Sequence, residues 1–494
     1  MSIFNMQLTK KNSIVLSFFI PFLFAFPILL CNTYYYDDIS RSLSGALGWG
    51  SIGRPLADII FLALSLNKEG SVDLTPLPLV LSLAAMCHGI YLLNKNMFSR
   101  SEVGSLIACS IVFLTPMFIQ NLVYRYDSLP MVLSLYLCIF SFCKCASGNA
   151  LRFFISVISL TSSLCLYQTS FPTFCILCIC YSMVLHYQYN SNPSSFILKC
   201  VLVSTSALSL YFLITNKVLS GTQRSNLIFS NGDWLNSLVN NFINYFNMVK
   251  TALPWLSFYL VLLALLAATF SLLYLEGCRL ASHLSMRNCF FAIIFIASPT
   301  LCFFISSMIS TLTTEGLVVP RVATSFGSAV FLSLLAISLS RFKFSAPFIA
   351  SAIVILSIVT SFVVSSSLRN QYDRDSSIIN RIINTVENDR KLQGVPVSFV
   401  GALTQERSVN NNSRHFKIVE MIVNPFNDWM SAMVFRRLSD ASMNYRMDRV
   451  SNMKLFIEMM KSSGAEKICH ADYSMASNGK QTIVLLGKMD GVCN

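Results

Sequence analysis

Long apolar runs recur along the first three quarters of the 494-residue chain, and they restrict its fold more than any other feature. Such runs are about 20 residues long, which lets an α-helix cross the hydrocarbon core of a bilayer. The composition agrees, because 54% of the residues are hydrophobic and only 12% are charged; a soluble protein has roughly a quarter charged. The sequence therefore predicts an α-helical polytopic membrane protein.

We expect about nine to eleven transmembrane helices, with further interfacial or re-entrant helices. The segment 54–66 carries Asp58 within about 13 mainly apolar residues, which favours a helix at the interface over a full span. The spans are expected near 13–32, 76–93, 103–120, 128–143, 152–170, 172–187, 197–215, 254–275, 289–310, 322–340 and 344–366.

The sequence changes character after residue 366, where charged and polar residues become frequent. Two segments, VPVSFVGA and QTIVLLG, are typical of buried strands, and DRVSNMKLFIEMMKSSG predicts a helix. A second helix is predicted by apolar residues that share one face: Ile378, Ile379, Ile382, Ile383 and Val386. We therefore expect a polytopic domain over 1–366 and a soluble α/β domain over 367–494.

Loop charges indicate the orientation in the membrane. If the N-terminus lies inside, the inner loops hold eleven basic and two acidic residues, whereas the outer loops, without the C-terminal tail, hold eight of each. Cytoplasmic loops are enriched in Lys and Arg, so we expect a cytoplasmic N-terminus, and an odd number of spans places the tail outside. There Cys469 and Cys493 could form a disulfide. Topology explains most of the net charge of +13, so no nucleic-acid partner is expected.

The remaining charges gather in the outer loops. The first such loop reads YYYDDISRSLSGALGWGSIGRPLADII over residues 34–60, and in a helix its acids would lie one turn from an arginine. The candidate site residues are Asp37, Asp38, Arg41 and Arg54 in this loop, Arg125 and Asp127 in YRYDS, Gln168 in LCLYQTS, and Glu315 and Arg321 in TEGLVVPR. Because they fall on one side of the membrane, we expect a shared polar site at its surface.

These residue types suit a reaction of a lipid phosphate. A carboxylate can take a proton from a hydroxyl, and the planar guanidinium of arginine matches phosphate oxygens and keeps its charge when partly desolvated. The neighbouring tyrosines and Trp49 could stack on a sugar ring or anchor at the lipid head groups, as interfacial aromatics do.

The stretch YYYDDISRSLSG…GW…GRPL resembles the signature of the phage-borne, serotype-converting O-antigen glucosyltransferases, polytopic enzymes of the GT-C class of glycosyltransferases. YRYDSLPM, LCLYQTS and TEG…PR resemble later motifs of that family. The resemblance covers the span region, while the tail matches only in its placement as a terminal domain outside the membrane.

The resemblance implies a multi-pass enzyme of the bacterial inner membrane with a periplasmic C-terminal domain. Its donor would be undecaprenyl-phosphate-linked glucose or a similar hexose, and its acceptor the O-antigen of lipopolysaccharide. The bilayer is then a partner, as are the donor synthase and flippase of the same pathway. An O-antigen polymerase and a lipid-linked oligosaccharide flippase stay open as alternatives.

The resemblance also implies roles for the candidate residues. Asp37 or Asp38 would be the general base of an inverting transfer. Arg41, Arg54, Arg125 and Arg321 would neutralise the departing phosphate, while Asp127, Gln168 and Glu315 would hold sugar hydroxyls or fix the arginines. We expect no metal and no cofactor; the alternative is a divalent cation at Asp37 and Asp38.

Overall fold

The computed structural model describes residues 4, 6–216, 227–230, 232–282, 286–314, 316–441, 443 and 448–487, except for the side chains of residues 282, 286 and 287. It divides into two compact units. Unit 1 comprises Met1–Leu30, Leu47–Phe362 and Phe416–Ile418, and unit 2 comprises Cys31–Ala46, Val363–His415 and Val419–Asn494.

The described part of the chain is mainly helical, as the sequence predicts. In chain order the helices are α1 (Lys10–Cys31), α2 (Asp37–Ser44), α3 (Pro55–Leu64), α4 (Leu77–Met97), α5 (Val103–Ser110), α6 (Ile119–Val123), α7 (Ser128–Ala146), α8 (Ala150–Leu164), α9 (Phe171–Tyr187), α10 (Ser194–Thr215), α11 (Trp234–Ala252), α12 (Trp255–Ser282), α13 (Met286–Ser306), α14 (Met308–Thr311), α15 (Phe326–Leu339), α16 (Ser345–Asn388), α17 (Arg407–His415), α18 (Ile418–Ile422), α19 (Asp428–Leu438) and α20 (Arg449–Lys461).

Among the described residues, eight helices are long and apolar enough to cross a membrane. They are α1, α4, α7, α9 with the turn before it, α10, α12, α13 and α16. Three further apolar helices, α3, α8 and α15, are shorter. This confirms a polytopic helical membrane protein, and 54–66 does contain a short helix, α3.

The segment 103–120 is not one span, contrary to expectation. It is broken into α5, a 3₁₀ turn at Pro116–Phe118 and the beginning of α6. Pro116 lacks the N–H that a continuing helix needs. Gly327 of α15 lies against the broken stretch, where a Cβ on this glycine would overlap the Ile111 carbonyl oxygen. The irregular backbone is therefore buried inside the helical bundle, where lipid does not reach it.

Unit 2 contains a four-stranded sheet built from β1 (Val397–Gly401), β2 (Glu466–Cys469), β3 (Tyr473–Ser477) and β4 (Thr482–Leu486). The strand order is β1-β4-β3-β2, with β1 and β4 parallel and the other pairs antiparallel. Val397 pairs with Thr482, so the predicted strands VPVSFVGA and QTIVLLG are neighbours in the sheet. The α/β character predicted for the tail is confirmed.

One face of the polar half of α16 covers this sheet. The five predicted face residues, Ile378, Ile379, Ile382, Ile383 and Val386, are all buried and pack with Phe399 of β1 and Val484 of β4. The same core includes Ile39 of α2, which is fully buried. The segment Cys31–Ala46 thus belongs to unit 2, although more than 300 residues separate it in sequence from that unit's core.

Cysteines behave as small apolar residues in most of the chain. Among the cysteines that the structure describes, fourteen are free thiols, most of them buried within the helices. Cys469 at the end of β2 is disulfide-bonded, and Cys493, its expected partner, lies outside the described residues.

Candidate functional site

The candidate residues are distributed over the two units. Arg54, Arg125, Asp127, Gln168 and Arg321 lie in unit 1, whereas the first three candidates, Asp37, Asp38 and Arg41, lie in unit 2. Glu315 lies outside the described residues.

In unit 1, Arg54 and Asp127 form an ion pair at the N-terminal ends of two helices. Arg54 directly precedes α3 and Asp127 directly precedes α7. Arg54 Nη1 lies 3.6 Å from Asp127 Oδ1, with 19% and 9% of the respective side chains exposed. Trp49 Nε1 donates a hydrogen bond of 2.8 Å to the same Asp127 oxygen. The carboxylate therefore already has a close donor, and it holds Arg54 by charge at a longer distance.

The guanidinium of Arg54 keeps donor capacity. Its carbon Cζ lies 4.3 Å from the centre of the Tyr167 ring, a cation–π contact that stabilises a charge removed from water. Its Nε is buried and has no hydrogen-bond partner among the described residues. Buried polar atoms are normally satisfied, so this free donor indicates a position where an anionic ligand oxygen would complete the site.

The loop before Arg54 is shaped by the carboxylate of Asp58. Asp58 Oδ1 accepts from Gly48 N at 2.9 Å and Trp49 N at 3.1 Å, and Oδ2 accepts from Gly50 N at 2.6 Å. Gly53 has φ of 79°, a left-handed conformation that glycine adopts without a steric cost. Pro55 then begins α3 at a position where its missing N–H costs nothing. Asp58 thus fixes the backbone that carries Trp49 and Arg54.

Gln168 supports this same loop. Its Nε2 donates to Gly53 O at 2.9 Å and to Tyr211 Oη at 2.9 Å. Tyr211 Oη also donates to Gly53 O at 3.2 Å. The amide nitrogen of Gln168 is therefore engaged in holding the residue before Arg54, which corresponds to the expected role of fixing an arginine.

Tyr167 connects Arg54 to the turn that carries Arg321. Its ring faces Arg54, and its hydroxyl donates to the Arg321 carbonyl oxygen at 3.0 Å. Arg321 Nη1 donates to Tyr124 Oη, and Arg321 N donates to Gln120 Oε1 at 2.9 Å. The sequence segments GRPL, LCLYQTS and VVPR therefore meet in one polar cluster of unit 1.

Arg125 has a separate acidic partner. Its Nη1 donates to Asp73 Oδ2 at 3.2 Å, in a pair that is partly exposed. Sequence reasoning did not identify Asp73, because a single acid in a long polar loop carries no distinguishing pattern. It also did not assign Asp58 or Tyr167 to the site.

Trp49 has a different role from those expected of it. It is 1% exposed and stacks on Phe61 of α3 at a centroid distance of 5.0 Å. A buried ring can neither anchor in the head-group region nor stack on a sugar, and Trp49 instead positions Asp127 through its indole N–H. The glycines on both sides of Trp49 could have indicated its burial from the sequence, since they allow a loop to close tightly around a large side chain.

In unit 2, the first turn of α2 presents its two carboxylates differently. Asp38 is fully buried, and its Oδ2 accepts from Tyr35 N at 3.2 Å. Asp37 is exposed. Adjacent residues of a helix point about 100° apart, which accounts for the difference. Asp37 is therefore the accessible carboxylate of the pair, and Asp38 stabilises the start of the helix.

The backbone before α2 is held in an uncommon conformation. Tyr36 has φ of 45° and ψ of −116°, which costs a non-glycine residue of order 1–3 kcal/mol. Its neighbour Tyr35 is anchored by a hydrogen bond of 2.9 Å from its hydroxyl to the Ile422 carbonyl oxygen. At the other end, Gly45 N caps the helix by donating to Arg41 O, and Arg41 Nη1 donates to Ala46 O at 3.0 Å. This short helix is rigidly placed within unit 2.

A metal site would need acidic, histidine or cysteine side chains that lie close together. Within the ranges that the structure describes, no three such residues come together in a way that could hold a metal ion.

The spanning helices define a multi-pass membrane protein, and its unit 1 contains a partly buried arginine–carboxylate pair at the N-terminal ends of α3 and α7. Residues 9–333 match the family described as "Glucosyl transferase GtrII", and the chain belongs to this family. It is therefore a membrane glucosyltransferase, and the resemblance seen in the sequence motifs is confirmed at the level of the family.

A full-length relative supports this assignment. The chain is similar to a protein of Salmonella phage P22 described as an uncharacterized 55.3 kDa protein in the gtrB 5′ region. The two are 25% identical over 469 residues, which cover 90% of this chain and 93% of the relative. The similarity thus extends through both units.

Proposed function

We propose that this glucosyltransferase transfers glucose from an undecaprenyl-phosphate-linked donor to the O-antigen of lipopolysaccharide, on the periplasmic side of the bacterial inner membrane. The observation that supports this most strongly is Arg54, whose buried Nε has no hydrogen-bond partner among the described residues. Membership of the glucosyl transferase family supplies the reaction class.

Arg54 is suited to the phosphate of such a donor. An N–H of guanidinium donating to a phosphate oxygen is a charge-assisted hydrogen bond, stronger than a neutral one. The Asp127 carboxylate and the Tyr167 ring hold the guanidinium in place before the ligand arrives, so little conformational entropy is lost on binding. Arg321 and Arg125 lie in neighbouring turns of the same unit, and we assign them to the same anion.

Asp37 is the proposed general base, because it is the exposed carboxylate of the pair while Asp38 is buried. In the proposed step, an acceptor hydroxyl oxygen attacks the anomeric carbon of glucose, and its proton passes to Asp37. The bond between the anomeric carbon and the phosphate oxygen breaks, and the lipid phosphate leaves as an anion. A single displacement of this kind inverts the anomeric carbon.

The proposed topology places the N-terminus in the cytoplasm and unit 2 in the periplasm. The excess of basic residues in the loops assigned to the inner side supports it. The disulfide of Cys469 fits an oxidising compartment. Partners of the enzyme would then be the bilayer and the enzymes that make the lipid-linked donor and carry it across the membrane.

We also propose that the reaction needs no metal. Asp37 and Asp38 differ in exposure and point in different directions along α2, so they do not form a paired oxygen site for a divalent cation. Transfer should be unchanged by a chelator such as EDTA. Loss of transfer on chelation that returns with added Mg²⁺ or Mn²⁺ would contradict this.

Purified protein in detergent tests the function, with undecaprenyl-phosphate-linked glucose labelled in the sugar and lipopolysaccharide as acceptor. We expect labelled glucose to appear on the polysaccharide with inverted anomeric configuration, and undecaprenyl phosphate to be released. A flippase would leave the donor intact, because detergent contains no second compartment. A polymerase would lengthen the polysaccharide instead of adding a side-branch glucose, and either result would refute the proposal.

A further inference from the structure

Unit 1 contains an apolar groove that neither the family nor the proposed chemistry explains. It is an open groove with a volume of about 420 Å³ between α3, α4 and α7, a size within the range of ligand pockets. Ile60 and Leu64 of α3 form one wall, Leu81 of α4 another, and Leu129 and Leu133 of α7 a third. The groove is lined almost entirely by hydrocarbon.

The groove begins beside the arginine–carboxylate pair. Arg54 immediately precedes α3 and Asp127 immediately precedes α7, and these helices supply two of its walls. Leu129, in the first turn of α7, already lines it. The 3.6 Å ion pair between Arg54 and Asp127 therefore lies at the N-terminal ends of two of the helices that line the groove.

The inner end of the groove is marked by its two polar residues. His88 of α4 and Tyr136 of α7 line it, and His88 Nδ1 lies 2.9 Å from Tyr136 Oη. His88 is seven residues beyond Leu81, and Tyr136 is seven beyond Leu129, so each wall extends roughly 10 Å along its helix. A polar pair inside a membrane span is costly unless it has a use, and here the exposed His88 and the half-buried Tyr136 lie side by side on the groove wall.

We propose that this groove binds the prenyl chain of the lipid-phosphate donor, with the phosphate at Arg54 and the first isoprene units between α3, α4 and α7. We base this on the proposed function and extend it by assigning a place to the lipid. The occupant is inferred from the nearby charge, because the partly buried guanidinium of Arg54, whose buried Nε has no hydrogen-bond partner among the described residues, suits an anionic head group at the end of the prenyl chain. Ala84 and Ala85 on the α4 wall leave room for the methyl branches of a prenyl chain.

Photolabelling of the intact protein tests this assignment. The probe is a prenyl phosphate of four isoprene units with a diazirine on the second unit. We expect label on peptides of α3, α4 and α7 that contain groove residues, and at least about tenfold less label from the matching prenyl alcohol, because the alcohol lacks the charge that Arg54 recognises. Labelling confined to other helices would overturn the proposal.

Substitutions that fill the groove can be compared with the same substitution outside it. Ala84→Trp places a large ring in the groove, and Leu81→Trp does so from the next turn. Ala63→Trp puts the same ring on an exposed position of α3 outside the groove. We expect labelling to fall about tenfold in the first two variants, through loss of buried apolar surface, and to be unchanged in Ala63→Trp. Equal labelling in all three would overturn the proposal, as would equal groove labelling by a diazirine phosphatidylglycerol.

A transfer assay separates this inference from the proposed function. Wild-type protein should use an undecaprenyl donor better than a two-unit citronellyl donor, and Ala84→Trp should lose that preference while retaining citronellyl transfer. If no prenyl-phosphate donor is consumed but the groove is labelled, the function fails and the lipid site stands. If transfer is normal and Ala84→Trp keeps the full chain-length preference, the lipid site fails and the function stands.

Discussion

In unit 1 the guanidinium of Arg54 lies between the carboxylate of Asp127 and the ring of Tyr167, whereas in unit 2 the carboxylate of Asp37 lies in solvent at the start of α2. Arg54 is held by contacts with residues of two other sequence segments, Asp127 and Tyr167. Asp37 is positioned through its helix, which Ile39 and Tyr35 attach to the core of unit 2.

This difference fits the two roles that we propose, phosphate binding by Arg54 and proton acceptance by Asp37. A group that binds a phosphate gains from being preorganised and partly desolvated, because its charge then acts more strongly. A group that accepts a proton from an incoming hydroxyl needs access and the right orientation. We therefore propose that unit 1 binds the donor and that unit 2 supplies the base, and variants of Asp37 and Arg54 test this proposal.

The largest effect is expected from Asp37→Asn. An amide cannot accept the acceptor's proton, so kcat should fall by about 10²–10⁴-fold. Asp38→Asn should mainly weaken the fold, because it alters a buried carboxylate that accepts from Tyr35 N. Initial rates of glucose transfer and thermal unfolding, measured on both variants, distinguish these outcomes. If Asp38→Asn loses kcat while Asp37→Asn transfers normally, the assignment of the base is reversed.

Replacement of Arg54 by Met should weaken use of the donor. Loss of hydrogen bonds to a charged phosphate should lower kcat/KM for the donor by about 10–100-fold. Arg54→Lys should recover only part of this, because an ammonium lacks the planar fork. Arg100→Met, at an exposed arginine of the same unit, is the control and should transfer glucose at the wild-type rate. Equal donor kinetics for Arg54→Met and wild type would show that the phosphate binds elsewhere.

Unit 2 also has a buried carboxylate, Asp375, whose charged form is destabilised by burial. Asp375 lies in the polar half of α16, beyond the apolar part of that helix, and burial raises its pKa from 3.8 to about 6. Hydrogen bonds from Phe426 N at 2.8 Å and Gln371 Nε2 at 2.9 Å, and the charge of Arg374, limit the rise. The folded state thus binds this proton more tightly than the unfolded state, so this contribution to stability is present at low pH and is lost as pH rises through about 6.

Asp375→Asn should therefore remove that part of the pH dependence. Relative to wild type, the variant should gain about 2 kcal/mol of stability in unit 2 between about pH 4.5 and 7.5. The difference in stability between the two proteins can be measured at each pH by hydrogen exchange of the β4 amides. A difference between the two proteins that stays constant with pH would show that Asp375 does not titrate in this range.

The smallest effect is expected from Trp49→Phe. This change keeps an aromatic ring against Phe61 but removes the N–H that donates to Asp127. Asp127 should then be drawn closer to Arg54, and kcat/KM for the donor should fall up to about tenfold, with kcat nearly unchanged. A fall in kcat with an unaltered donor KM would place Trp49 in the transfer step instead of in donor binding.

Much of this arrangement could be predicted from local sequence. The apolar runs predicted the spanning helices, the isoleucine spacing predicted the buried face of α16, and YRYDS placed a charged pair where a helix begins. Each of these signals is contained in a window of about 20 residues or fewer, within which periodicity and helix-end chemistry operate.

Other features depend on contacts between distant parts of the chain. Ile39 packs in the unit 2 core and Tyr35 bonds to Ile422, 387 residues away, so no local pattern assigns this segment to the C-terminal unit. Asp58 and Tyr167 gain their roles from loop closure and from Arg321, which lies 154 residues beyond Tyr167. From the sequence alone, buried aromatic and acidic residues of this kind cannot be distinguished from ordinary core or loop residues.

Equilibrium binding of undecaprenyl-phosphate-linked glucose to Arg54→Met and Asp37→Asn tests the division of work most directly. We expect Asp37→Asn to bind the donor with the wild-type Kd although it does not transfer glucose, and Arg54→Met to bind it about 10–100-fold more weakly. Weakened binding in Asp37→Asn together with wild-type binding in Arg54→Met would contradict the account.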